Sequence, residues 1–577
     1  MKETITESFL EISHKFPRKT ATLHKENGVY FPTSFRELEE SVREFAGELQ
    51  TLGVKKGDRV AILSENRPEW VISDLGIMLS GGIVVPVHTT LNARAISNIL
   101  RHCEAKIIIV SNRELLNKIF IFQKELPFLE KIIFLETIAD GLKTISEKPI
   151  LSWKKLLERG EKNEFTPVFL DSDDVCTIIY TSGTTGEPKG VMLTHYNFLS
   201  NAQAVTEVIP LKEKDVFLSF LPLSHVLERL AGYYIPLLKG ITIAYAEGLK
   251  QLPYNLKEVK PTILISVPRV FEKFDDKIWD KVNASSALQK KIFLWAVNQK
   301  KGSFRYRIAE YLVFKKIRKQ LGGHLRIAVS GGASLNEKIA KFFWKIGVKI
   351  LEGYGLTETS PVISVNSEEG YKFGTVGRHV SGVKVKISPE KEILVKGPNV
   401  MQAYYKNPEE TKKAFDEEGW FCTGDLGFVD NEGFLTVVGR KKEMIVTSYG
   451  KNVWPEKIEN EVNKDPYVAQ AMVIGHNRKF IAALIVPDWG EVKNFLIKNN
   501  LQVQDPERLV TSQKIVDLLQ ERINLINQNL SSYEQIKKFK LLDEEFSSAK
   551  EELTPTLKLR RHIIEKHYQK EIEGMYS

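Results

Sequence analysis

Hydrophobic and polar positions along this chain alternate between two periods. Phe35, Leu38, Val42, Phe45, Leu49 and Leu52 recur at helical spacing, which places them on one helix face. Ser34 with Glu37 has capping-box spacing and Gly53 supplies a stop, so the pattern predicts a helix over about 35–52. Short β-branched runs at Arg59–Leu63, 83–87 and Ile107–Val110 predict buried strands between helical segments, and similar runs recur at 175–179, 262–267 and 325–329. Such alternation argues for an α/β fold of largely parallel sheets, which bind ligands beyond their strand ends. Later the pattern changes. Residues 469–474 and 480–487 read as a hairpin joined by His476-Asn-Arg-Lys479, followed by a helical stretch over about 506–529. A chain of 577 residues exceeds one core and implies at least two domains.

The run 175–179 leads into YTSGTTGEPKG at 180–190. Its glycines free the backbone, Thr181, Ser182, Thr184 and Thr185 bring hydroxyls, and Lys189 adds a positive charge. That combination suits a polyphosphate. It is not a Walker A loop, because Lys189 stands between Pro188 and Gly190. A second candidate is LEGYGLTETSP at 351–361, where Glu358 occupies the place of a third glycine and rules out a dinucleotide loop. What remains is an aromatic ring, two glycines, a hydroxyl and an acid. These can stack on a base, donate to a phosphate and hold a hard cation. SGGA at 330–333 follows a strand; it reads as a tight turn or as a close approach to a flat base.

These stretches, taken with LPLSHVLER at 221–229, EGWFCTGD at 418–425, GRKKEMI at 439–445, SYGKNVWPEKIE at 448–459 and ELTPTLKLRR at 552–561, resemble the AMP-forming adenylating enzymes. That superfamily includes acyl- and aryl-CoA synthetases, luciferases and nonribosomal adenylation domains. The resemblance covers nearly the whole chain. It implies an adenylate-forming domain over 1–439 with an additional small β-barrel-like part, a hinge at 440–442 centred on Lys442, and a mobile α+β domain over 443–577. It assigns Thr181, Ser182, Gly183, Thr184, Thr185, Gly186 and Lys189 to ATP phosphates. Gly331, Gly332, Ala333, Glu352, Gly353 and Tyr354 go to the adenine side, and Asp425 and Arg440 to the ribose. Thr357, Glu358 and Lys558 become the catalytic set, with Glu358 the Mg²⁺ ligand. His225, which alone would read as a packed core histidine, becomes an acyl-pocket residue, and Gly450 falls in the loop that serves the thioester step. Much of the family has glycine before the catalytic lysine. Here Leu557 follows Thr-Pro-Thr, the form associated with long-chain fatty acyl-CoA synthetases.

The implied substrates are a long-chain fatty acid, ATP and coenzyme A, with no nucleic acid. A related ligase for another acid, or one that loads an acyl carrier protein, is the alternative. A catalytically silent binding protein would be expected to lack Lys558, Thr357 or Glu358, and all three are present. The cysteines, Cys103, Cys176 and Cys422, form no CxxC pair, which points to a reducing, cytoplasmic setting. The apolar stretch 71–87 carries Asp74 and a Gly81-Gly82 break and reads as helix, turn and strand. Net charge is +9, and between Lys290 and Arg326 eleven Lys or Arg face one acid, Glu310. This region, with Phe293, Trp295, Tyr306, Tyr311 and Phe314, reads either as a solvated helical face or as a peripheral contact with an anionic membrane. A homodimer is compatible with the sequence.

Overall fold

A computed structural model describes residues 3–138, 146–161, 165–181, 188–499, 501, 505–547, 550–554 and 558–577. The chain forms two compact units. One holds Met1–Lys386, Leu394–Thr423 and Val429–Thr436; the other holds Ile387–Ile393, Gly424–Phe428 and Val437–Ser577.

The first unit contains two large sheets. One has, among the described residues, nine strands in the order Arg378–His379, Val362–Val365, Lys349–Gly355, Ile327–Ser330, Ile263–Ser266, Val216–Ser219, Thr242–Tyr245, Thr20–Glu26 and Val29–Ser34. Its central strands are parallel, and the register sets Ser330, the last residue of its strand, beside Glu352. The edges turn antiparallel. The other sheet runs Ala403–Tyr404, Lys189–Thr194, Val175–Thr181, Ile83–Pro86, Arg59–Leu63, Ile107–Val110, Lys131–Phe134 and Ile150–Ser152. It is parallel except at the first two strands. The predicted helix spans Phe35–Thr51, with both capping-box bonds between Ser34 and Glu37 formed.

The stretch expected as helix, turn and strand is the helix Pro68–Leu79, a turn at Gly81 and the strand Ile83–Pro86. Among the described residues no helix is long and apolar enough to cross a membrane. Asp74, fully buried, forms an ion pair with Arg229 and accepts bonds from Tyr233 Oη at 3.1 Å and Tyr234 Oη at 2.8 Å. Burial of a lone carboxylate would be prohibitive; these partners are what make Asp74 tolerable in a largely buried helix. Cys103 and Cys176 are buried and unpaired, and burial pushes both thiols up to about 12.

In the second unit Val468–Ile474 and Ile481–Pro487 form the expected hairpin, and Ile536–Leu541 adds a parallel third strand. Ala471 and Val473 face one apolar cluster while Met472 and Ile474 face another, so both sides of the sheet are covered. The helix expected over 506–529 is two helices, Pro506–Leu509 and Gln513–Asn527. Between them the Thr511 hydroxyl bonds the Arg508 carbonyl at 3.1 Å, a local alternative to the helical ladder. Lys384–Ile387, Glu392–Lys396, Phe421–Val429 and Leu435–Arg440 form, among the described residues, a four-stranded sheet.

Candidate functional site

The strands Val175–Thr181 and Lys189–Thr194 are antiparallel, with Thr181 opposite Lys189 as the last register pair. Ser182, Gly183, Thr184, Thr185 and Gly186 lie outside the described residues. Below the loop, Tyr180 is buried and its hydroxyl is 2.6 Å from His102 Nδ1. Lys189 makes an ion pair with Glu410 and lies 5.1 Å from the centre of the Tyr404 ring. The Lys189 bond holds the Glu410 carboxyl down to about 2, with Lys413 assisting.

Tyr404 then connects two motifs far apart in sequence. Its hydroxyl donates to Glu358 Oε1 at 2.9 Å, and Met401 N donates to the Glu358 carbonyl at 2.8 Å. Lys189 and Glu358 therefore belong to one cluster built around a single tyrosine. Thr357–Thr359 form a 3₁₀ turn at the end of the strand Lys349–Gly355, which also carries Glu352, Gly353 and Tyr354. Gly355 is required here: a Cβ would meet Pro361 O at 1.7 Å. Glu352 is buried, and loss of water pushes its carboxyl up to about 7, with the Tyr371 hydroxyl at 3.5 Å favouring the charge. Its neighbour in register, Ser330, leads into Gly331, Gly332 and Ala333.

Gly331 packs close to Leu227, where a Cβ would come to 3.1 Å of Leu227 Cδ2. The segments holding Gly331 and His225 are thus brought together. His225 Nδ1 accepts from Leu227 N at 3.3 Å, and its ring lies 6.4 Å from that of His88. Burial lowers His88 to about 4, and its Nδ1 bonds the Ser224 hydroxyl at 2.7 Å. One turn beyond His225, Glu228 is buried with no bonding partner for either carboxyl oxygen among the described residues. Burial pushes it up to about 8, only partly offset by nearby Ser219.

The second unit holds Asp425, Arg440, Lys442, Gly450 and Lys558. Asp425 is buried on Phe421–Val429, and its Oδ1 is 3.2 Å from Arg440 Nε. Lys558 is exposed by area, yet protein atoms are dense around it. The loss of water lowers its ammonium pKa and Arg440 pushes the same way, while Glu456, Asp425 and Glu443 oppose. Lys442 lies in the 3₁₀ turn Lys441–Glu443. Gly450, at φ +71°, closes the turn between Ile445–Val446 and Asn452–Val453, a conformation that favours glycine.

Sequence reasoning missed Tyr404, Glu410 and Glu352's raised pKa, because nothing in local spacing marks a residue for contact with a distant motif. Of the aromatics it named in the basic region, Tyr311 is exposed and the other four are not. Phe293 and Phe314 are core residues, and Trp295 and Tyr306 pack against that core. Helical periodicity turns inward every third or fourth residue. The exposed large apolar residues there are Leu288, Leu294, Phe304, Ile308, Tyr311 and Leu312.

A family model for AMP-binding enzymes matches residues 9–405, and a model for their C-terminal domain matches residues 442–577. The chain belongs to the AMP-binding enzymes. Relatives in this family include the long-chain-fatty-acid–CoA ligase FadD15 of Mycobacterium bovis, 34% identical over 96% of this chain and 93% of that one. Another is the chloroplastic long-chain-fatty-acid–[acyl-carrier-protein] ligase AEE15 of Arabidopsis thaliana, 31% identical over 94% of this chain and 82% of its own length. In structure, the adenylation domain of a Mycobacterium chelonae carboxylate reductase superposes with a TM-score of 0.83 at 23% identity, covering 100% of this chain and 91% of that one. This last likeness establishes the fold: a large α/β domain with parallel sheets and a smaller C-terminal domain.

The expectation that Lys189 holds ATP phosphates sets Glu410 in competition with them for the same ammonium. Replacing Glu410 by Gln is expected to tighten ATP binding about two- to fivefold, the range of a partly exposed ion pair worth ~0.4–1 kcal/mol. Calorimetric titration checks this, and unchanged or weaker binding means that Glu410 does not compete.

Proposed function

We propose that this protein is an AMP-forming long-chain fatty acid–CoA ligase. The observation that carries the reading is the cluster in which Tyr404 bonds Glu358 while its ring underlies Lys189, so that a metal-holding acid and a phosphate-binding cation share one scaffold. The acyl class follows the relatives' printed names. AEE15's name supports a second reading in which an acyl carrier protein is the acceptor, and a thioester assay with each acceptor separates the two.

A fatty carboxylate is ionised at neutral pH, so its attack on the α-phosphorus of ATP needs no general base. The new acyl–oxygen–phosphorus bond forms as the bond to pyrophosphate breaks, and the protein's task is positioning and charge compensation. Lys558 bridges the carboxylate and the α-phosphate, and Thr357 holds an α-phosphate oxygen. Thr181 and Lys189, with the loop between them, hold the leaving phosphates. Glu358 keeps a carboxylate oxygen beyond the one bonded to Tyr404, which fits an ion that takes one or two carboxylates plus phosphates. Mg²⁺ held there would supply neutralisation of phosphate charge. Gly331, Gly332, Ala333, Glu352, Gly353 and Tyr354 receive adenine, Asp425 and Arg440 the ribose, and His225 borders the acyl group. In the second step the coenzyme A thiolate attacks the acyl carbonyl and AMP leaves. Two chemistries at one site call for different surfaces of the C-terminal domain, Lys558 for the first and the Gly450 segment for the second. Lys442 is the hinge residue whose φ and ψ change between them.

The exposed cations and apolar residues between Leu288 and Lys319 support a further element of this reading, peripheral contact with an anionic bilayer. Phe304 is 76% and Tyr311 72% exposed. Of the eleven cations from Lys290 to Arg326, only Arg318 and Arg326 have acidic partners among the described residues.

Three outcomes are expected. Lys558→Ala nearly abolishes acyl-AMP formation from ATP but leaves thioester formation from supplied acyl-AMP comparatively intact. Equal damage to both routes makes Lys558 structural. Lys442→Pro, by fixing φ near −65°, leaves pyrophosphate release in place and slows acyl transfer to coenzyme A. Transfer at the unmodified rate removes Lys442 from the hinge role. The protein cosediments with vesicles containing anionic lipid at low salt, less so at high salt, and Phe304→Ser with Tyr311→Ser weakens binding, since each basic residue near such a surface contributes about 1 kcal/mol. Equal binding to neutral vesicles, or none, removes the membrane contact.

A further inference from the structure

The segment that carries Lys558 is paired back on itself. Leu553 bridges Leu559, Thr554 N donates to the Lys558 carbonyl at 2.8 Å, and Lys558 N donates to Thr554 Oγ1 at 3.0 Å. Leu553 and Leu559 pack against an apolar cluster of the second unit, and the segment is tied further three residues beyond Lys558, at Arg561, the first residue of the helix Arg561–His567. Nη1 of Arg561 donates to Glu459 Oε1 at 2.8 Å and Nη2 to Glu459 Oε2 at 2.5 Å. Nη1 also reaches the Val473 carbonyl at 3.3 Å, while Val473 N donates to Glu459 Oε1 at 2.6 Å. Nε lies 3.8 Å from Glu443 Oε2. The pair is largely shielded from water, with 18% of the Arg561 and 6% of the Glu459 side chain exposed.

Each partner belongs to a different segment with a task. Glu459 is on the helix Pro455–Val462, which follows the Gly450 turn. Glu443 comes immediately after Lys442, and Lys558 is three residues before Arg561. We propose that Arg561 is a positioning residue for both half-reactions, a clamp that holds the lysine segment and the Gly450 segment in one rigid arrangement. This rests on the reading of those two segments given above. A planar guanidinium matches a carboxylate through two parallel bonds, which a lysine ammonium cannot reproduce. A displacement of about 1 Å in a reacting group can cost on the order of a hundredfold in rate.

The test measures the two half-reactions separately, acyl-AMP formation by pyrophosphate release and thioester formation from supplied acyl-AMP. Arg561→Lys is expected to lower kcat of both by about tenfold or more, with KM for ATP little changed. The double variant Glu459→Met with Arg561→Met removes both shielded charges together, so its melting midpoint should stay near that of the native protein. Both rates should nevertheless remain low, which a merely structural role does not explain. Full activity in either folded variant overturns the proposal, and so does a loss confined to one half-reaction. Lys558→Ala, run in parallel, tells two failures apart. If it still forms acyl-AMP, the lysine reading fails; if it is silent beside a fully active Arg561→Lys, only the clamp fails.

Discussion

The first unit depends on a buried charge whose partners come from a strand of one large sheet, from the helix Pro68–Leu79 and from its own helical segment. Arg229 has no exposed surface and follows the strand Val216–Ser219 of the nine-stranded sheet. Its Nη1 donates to Thr177 Oγ1 at 2.7 Å, on a central strand of the other sheet, and the Thr177 hydroxyl in turn bonds the Val84 carbonyl at 2.7 Å. Asp74 and the Tyr234 hydroxyl, 2.9 Å from Nε, complete the shell. Removing one member of such a pair typically costs about 3–5 kcal/mol, because the other is left buried and uncompensated. The consequence is geometric. Thr177 lies on the strand that leads into the 180–190 loop, and Arg229 lies four residues after His225, so the phosphate-loop strand and the candidate acyl-pocket segment are fixed relative to each other through one guanidinium.

Most of the fold was legible because local rules were obeyed. The capping boxes at Ser34 and the β-branched runs at Arg59–Leu63 and Ile107–Val110 give the same answer in sequence and in structure. Local chemistry also accounts for the lapses, as where the Thr511 hydroxyl takes the Arg508 carbonyl and divides a helix. The candidate site was legible only as separate motifs. Tyr404 and Glu358 are 46 residues apart, and Lys189 and Glu410 are 221 apart. No periodicity encodes such pairings; they follow from strand order, which sets Ala403–Tyr404 beside Lys189–Thr194. The basic region shows the converse. Its charge was readable by counting, but which aromatics face out depended on the helical phase, and Phe304 rather than Phe293 is on the surface.

The candidate cations of the two units, each taken within its own unit, share a further property. Lys189 is held by Glu410 and Arg440 by Asp425, and Lys558 feels Glu456, Asp425 and Glu443. Carboxylates thus stand beside the candidate cations of each unit. Partly exposed ion pairs are weak, so an anion of higher charge could displace the acids at modest cost. At Lys558, loss of water and Arg440 lower the ammonium pKa, and the three acids oppose that shift.

The second unit adds a constraint on how two chemistries are scheduled. The helix Pro455–Val462, the strand Val468–Ile474 and the Lys558 segment are joined at Arg561 through bonds that would all have to break for one to move without the others. An exchange between the lysine and the Gly450 turn by internal rearrangement is therefore disfavoured. If these two segments act in successive steps, the economical route leaves the clamp intact and carries both as one body. The conformational change is then confined to the few residues around Lys442, whose turn is short and carries no buried side chain. Rigidity at Arg561 and compliance at Lys442 are thus two requirements of one mechanism.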